Sequence, residues 1–107
     1  DLRLWLQRNG YAIVREELAR EGETLYTVML VKAGEMAPMT PGELEAGRLD
    51  RDPLRGELLD KLTAKLRRVS EGLEKSRQEG AEIRRTELMA LLDELNKMKK
   101  EWEAWRL

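Results

Sequence analysis

Apolar positions along the chain change period several times, and each change marks an element. Leu2, Trp5 and Leu6 recur at i, i+3 and i+4, predicting a short amphipathic helix that turns these three residues to a core and stops at Asn9-Gly10. Tyr11-Ala12-Ile13-Val14, followed by polar Arg15-Glu16-Glu17 and then Leu18, predicts a strand leaving the interior toward a turn around Gly22. Leu25-Tyr26-Thr27-Val28-Met29-Leu30-Val31 is a nearly unbroken β-prone run, the pattern of a strand covered on both faces. One short helix and one partner strand cannot supply two apolar layers, so the faces at Val28 and Leu30 are expected to lie open and to promote association.

After a linker, Gly34 to Met39, the stretch Thr40-Pro41-Gly42-Glu43 has the form of a capping box with proline at the first helical position. It predicts a short helix ending at Gly47. Asp52-Pro53 repeats the cap-plus-proline signal for a longer one. Leu59, Leu62, Leu66, Val69 and Leu73 are spaced 3, 4, 3 and 4, and Leu88, Leu91, Leu95, Met98, Trp102 and Trp105 continue at 3, 4, 3, 4 and 3, one residue out of phase with the first seam. The phase break predicts two antiparallel helices reversing at Ser76 to Gly80; a single long helix is the alternative.

The whole reads as α+β in three parts: a helix and strand pair over 1–34, a linker with a short helix over 35–52, and an antiparallel coiled-coil hairpin over 53–107. With neither cysteine nor histidine, thiolate metal sites, a cysteine nucleophile and the commonest general base are excluded, and no metal is expected. No apolar run nears the roughly 20 residues that span a bilayer, and a cytoplasmic location without membrane contact is expected. The chain opens at Asp1, without methionine, on a helical pattern, so residues preceding it in the natural protein are expected. Residues 1–52 carry 7 basic and 10 acidic side chains, a balance of −3, whereas residues 53–107 carry 13 and 11, a balance of +2. That difference permits a phosphate-contacting face on the second part without demanding one.

The stretch Leu2-Arg3-Leu4-Trp5-Leu6-Gln7-Arg8-Asn9-Gly10-Tyr11, then Ile13-Val14, Glu16-Glu17-Leu18, Tyr26, and the Thr40-Pro41-Gly42-Glu43-Leu44 junction resemble the TrmK family of bacterial tRNA (adenine-N1)-methyltransferases. The resemblance implies that residues 1–34 are the last helix and antiparallel strand pair of a Rossmann-like methyltransferase sheet, and that a helical coiled-coil domain follows. It implies S-adenosylmethionine as cofactor of the whole protein, tRNA as substrate through an adenine of the D-arm, and a partner in the N-terminal methyltransferase half. The family's cofactor loop and catalytic motif correspond to upstream sequence, so no catalytic or cofactor-binding residue is assigned here; Gly34, Gly42 and Gly47 are too scattered to form such a loop. This segment alone is expected to be inactive.

The candidates for nucleic-acid contact are Lys61, Lys65, Arg67, Arg68, Arg77, Arg84 and Arg85, with Lys97, Lys99 and Lys100 further along; the bland reading is the solvated face of a coiled coil, because glutamates interleave with them. Glu16 and Glu17 adjoin on a strand, cannot converge on one bond, and read as solvated. Trp102 and Trp105 read as packing at the end of the helical seam. A stand-alone coiled-coil protein-interaction module is the alternative to the methyltransferase segment.

Overall fold

The computed structural model describes residues 1–48 and 51–106; Leu49 and Asp50 of the expected linker and Leu107 at the end of the expected hairpin lie outside them. The elements are α1 (Leu2–Arg8), β1 (Tyr11–Glu21), β2 (Thr24–Ala33), α2 (Pro41–Ala46), α3 (Arg55–Glu74) and α4 (Ala81–Arg106). They fall into two compact units, Asp1–Arg55 and Gly56–Leu107.

In the first unit, Asp1 caps α1 by accepting the Arg3 N–H, and the helix ends at Asn9, before Gly10 takes φ 77°. β1 and β2 form an antiparallel pair turning at Gly22. The ladder runs from Tyr11↔Ala33 to Ile13↔Val31 and resumes at Arg15↔Leu30, leaving Val14 as a bulge. A one-residue bulge exchanges the faces of a strand beyond it. Ile13, Glu16 and Leu18 therefore share the face of Val31, Met29 and Thr27, while Arg15 and Glu17 share that of Leu30 and Val28. The first of these faces carries the buried Glu16 and Leu18; on the second, Tyr26, Val28 and Leu30 are each about half exposed, as anticipated for a strand whose second apolar layer is absent from the described residues.

The predicted core helix is corrected. Leu6 is buried, but Leu2 is 60% and Trp5 54% exposed, and Arg3 takes the buried position instead. Trp5 stacks on Tyr11 with ring centroids 5.8 Å apart, a contact that shields one face of each ring only.

Both hydrogen bonds of the capping box at Thr40 are formed, and α2 ends where Gly47 adopts φ 75°. Burial alone would raise the Glu43 carboxyl, but the Thr40 amide and the Arg48 guanidinium outweigh it and hold the group below its ordinary value. Its contribution to stability is thus present above the titration of an unpaired glutamate and is lost as pH falls through the lowered value. The longer helix starts at Arg55, not at the Pro53 that the cap-plus-proline signal predicted, and Asp52 instead braces the turn before it. One carboxylate oxygen accepts from the Leu54 N–H at 2.8 Å, and the other from the Leu18 N–H of β1 at 2.9 Å.

The second unit contains the two predicted helices, with the reversal between Glu74 and Ala81 and φ 83° at Gly80; the single-helix alternative is excluded. Gly56 lies against Trp102, Asp60 binds Lys99, and the Ser70 hydroxyl is 3.8 Å from the Met89 sulfur, so α3 and α4 run antiparallel. Burial follows the predicted seams only in part. Leu59, Leu95 and Trp102 are buried as expected, and Leu92, outside the predicted seam, joins them. Val69 and Trp105 are exposed because the burial drifts from a strict heptad: along α4 it follows Ala81, Leu92, Leu95 and Trp102 rather than Leu91, Met98 and Trp105.

A methyl group at Gly56 would overlap the Trp102 ring. Overpacking of this kind costs about 1–3 kcal/mol, more than the ~1 kcal/mol alanine gains over glycine in a helix. Gly56→Ala is therefore expected to lower the denaturant midpoint, and Trp102→Leu in the same chain to remove that penalty; an unchanged midpoint in Gly56→Ala would disprove the contact.

Candidate nucleic-acid interface

All seven basic candidates are exposed, and the structure does not bring them to one face. At about 100° per residue, Lys61, Lys65 and Arg68 fall within roughly 60° of one another on α3, whereas Arg67 lies about 100° further round. The first three stand opposite the buried side of the helix, which carries Leu59 and Ser70. Lys61 makes an i,i+4 ion pair with Glu57 at 3.4 Å. Arg77 sits in the connection after α3 and Arg85 in the first turns of α4; together with Leu73, Glu74, Ser76 and Glu82 they line a hollow at the reversal. Its two carboxylates make it a poor seat for a phosphate. Arg84 is exposed nearby, and Lys97 and Lys100 are exposed toward the end of α4. Lys99 is half-buried, bound to Asp60 and 5.9 Å from the centre of the Trp102 ring, which makes it a structural cation. Lys75, one residue beyond α3, continues the Lys61–Lys65–Arg68 period by seven and was not singled out in the sequence; extending that period finds it.

The strongest polar constellation lies elsewhere, in the first unit. Arg3 is 8% exposed and donates through Nε and Nη2 to Glu16 Oε1 at 3.0 and 2.7 Å. Its Nη1 donates to the Leu44 and Glu45 carbonyls at 3.1 and 3.2 Å. Glu16 is likewise buried, which corrects its reading as solvated; Glu17, on the opposite face, is exposed as expected. The physical reason is the Val14 bulge, which turns Glu16 rather than Arg15 inward. Arg55, 3% exposed, donates to the Ala46 and Gly47 carbonyls, so two guanidinium groups satisfy the carbonyls that α2 leaves open at its C-terminus. Arg48 binds Glu43 and the Ala37 and Pro38 carbonyls, fixing the linker. Every donor here ends on a carbonyl or carboxylate of the chain, the work of a structural clasp.

No family model and no curated protein matches the sequence. Solved structures do. The chain superposes on the Streptococcus pneumoniae protein Sp1610, a candidate tRNA (m1A22) methyltransferase, with a TM-score of 0.69 and 25% identity over 92% of this chain and 44% of that one. The B. subtilis M1A22 tRNA methyltransferase TrmK gives a TM-score of 0.73 at 18% identity, over 92% of this chain and 46% of that one. The chain has the fold of part of a TrmK-type protein. It spans less than half the length of either structure. The resemblance read from its sequence is thus met by structures of the same family.

Sp1610 has also been solved with S-adenosyl-L-methionine, again matching 92% of this chain, at 24% identity. In this chain Gly34 follows the strand pair, Gly42 is inside α2, and the space beside Gly47 is filled by the Glu16 carboxylate, so the three glycines form no common loop. No step of methyl transfer is assigned to these residues. Among the described residues there is no cluster of three potential metal ligands, and no helix is long and apolar enough to cross a membrane.

Removing one partner of a buried ion pair costs about 3–5 kcal/mol, because the other charge is left uncompensated. Arg3→Met is expected to fall in this range, since it also strands two carbonyls of α2, and the Arg3→Met, Glu16→Met double variant to lose less than the sum of its singles. Urea unfolding of the four proteins checks this; additive losses would show that the two side chains are not coupled.

Proposed function

We propose that this chain is the C-terminal half of a cytoplasmic, S-adenosylmethionine-dependent tRNA (adenine-N1)-methyltransferase acting on an adenine of the D-arm, with α3 and α4 forming a coiled-coil hairpin that helps position tRNA. The observation that carries the reading is the superposition on TrmK-type structures across both units of the chain, helix–strand pair and helix pair alike. In this reading the upstream half holds the methyl donor and performs the chemistry. Residues 1–34 complete its sheet, residues 35–52 are the junction, and residues 53–107 face the substrate.

The surface of the first unit supports the division of labour. Leu2, Trp5, Tyr26, Val28 and Leu30 are all about half exposed or more, an amount of open apolar side chain that suits a sheet and helix layer continuing in an upstream half. In the second unit, side-chain contacts along antiparallel helices and basic residues on the outward side support a positioning role.

The test is a mobility-shift titration of the 107-residue chain with tRNA between about 50 and 200 mM salt. Neutralising several phosphates with lysine and arginine makes affinity fall steeply with salt, by about 0.7–0.9 in log K per log salt for each contact. A complex that weakens in this way is the expected result. No complex at the lowest salt would remove the helix pair from substrate recognition and leave it the stand-alone interaction module that is the alternative.

A further inference from the structure

From the placement of cations on α3 and directly after it we infer that one outward stripe, Lys61, Lys65 and Arg68 with Lys75 next beyond them, is the surface that lies along a phosphate backbone, and that Arg67, Arg84 and Arg85 are not part of it. The inference rests on the tRNA-positioning role proposed above and names the residues that perform it.

The stripe follows from helical geometry. Positions 61, 65 and 68 are separated by 4 and 3 residues, the spacing of a line along one side of a helix, and Lys75 follows directly after the last residue of α3. At 1.5 Å per residue its part on α3, from Lys61 to Arg68, is about 10 Å long. It lies opposite the side on which Leu59 and Ser70 are buried, so nothing in the packing of α3 against α4 competes for it. Between Lys65 and Lys75 its remaining member is Gly72, whose open surroundings leave space for close approach. Glu57 borders the line at its start and Glu71 at its edge. The Lys61–Glu57 pair is an exposed i,i+4 contact, of a kind contributing only about 0.3–0.5 kcal/mol, and a phosphate can displace the carboxylate from it.

The other candidates are placed differently. Arg67 is about 100° round the helix from this line. Arg85 shares its hollow with Glu74 and Glu82, and Arg84 is on α4, off the line of α3.

A phosphate backbone suits the stripe better than an acidic protein surface does. Protein interfaces are anchored by aromatic or large aliphatic side chains at their centre, and the centre of this line holds Lys65, Arg68 and Gly72. Phosphate contacts need only spaced cations, and in an RNA helix the backbone is what such cations reach.

Two triple variants of the full chain, Lys61→Gln/Lys65→Gln/Arg68→Gln and Arg67→Gln/Arg84→Gln/Arg85→Gln, separate the possibilities because each removes the same charge. Circular dichroism and unfolding midpoints establish that both are folded; a variant that unfolds is replaced by its three single substitutions. The expected result is that the first triple reduces the slope of log K against log salt by about 2–3 for tRNA, while the second leaves it within about 1 of the parent. Equal effects, or a larger effect of the second triple, would overturn the stripe while leaving the positioning role intact. Failure of the parent chain to bind tRNA would overturn both. Loss of binding to an acidic polypeptide such as polyglutamate, with tRNA binding unchanged, would assign the stripe to a protein partner and overturn the inference.

Discussion

The Arg3 guanidinium is the point at which the first unit is tied together. It reaches a strand through Glu16 and the end of a second helix through the Leu44 and Glu45 carbonyls, from a position on a third element, α1. A guanidinium can do this because its donors lie in one plane at fixed angles, so one side chain addresses several acceptors at once. A charge in a low-dielectric interior is tolerated only if every direction is answered. The carboxylate of Glu16 and the open carbonyls of α2 meet that demand, and the junction is held in place as a result. With Arg55 on the remaining carbonyls and Arg48 on the linker, the unit is organised by arginine as much as by apolar packing.

This organisation explains how a small core coexists with so much open apolar surface. Among the described residues of the first unit, the buried apolar ones are Leu6, Ala12, Leu18, Met39 and Ala46, none of them aromatic. The aromatic side chains Trp5, Tyr11 and Tyr26 are turned outward, and Val28 and Leu30 with them. The polar clasp thus fixes the geometry of helix, strand pair and junction while leaving the apolar faces available to other layers. In the second unit the balance is reversed: Leu59, Leu95 and Trp102 carry the burial, and the charges are mostly outside.

Order and type of the elements were legible in the sequence because local signals set them: the capping box at Thr40, the glycines ending α1 and α2, and the phase break at Ser76 to Gly80 all appear as read. What escaped reading was set by tertiary contact. Arg3 occupies a position that amphipathic periodicity assigns to solvent, and its burial depends on acceptors 13 and more than 40 residues away. Trp5 was placed in a core by its spacing, but periodicity identifies an apolar face without saying whether a covering layer exists. The heptads located α3 and α4, yet Leu92 replaced Leu91 at the buried side because an ordinary helix drifts from a strict seven-residue repeat. Of the basic candidates, the sequence supplied the inventory and the helix supplied the sorting.

The extra residue in β1 lets this strand absorb two kinds of mutation. A change of side chain at Val14 touches a half-exposed position outside the ladder and leaves its neighbours in register. Loss of that residue by deletion would join Ile13 directly to Arg15 and leave the pairs Arg15↔Leu30 and Glu16↔Met29 as they stand, so that Glu16 would still meet Arg3. Over evolutionary time such a strand can drift at the bulge in composition and in length alike, because the pairs on either side are consecutive along the partner strand.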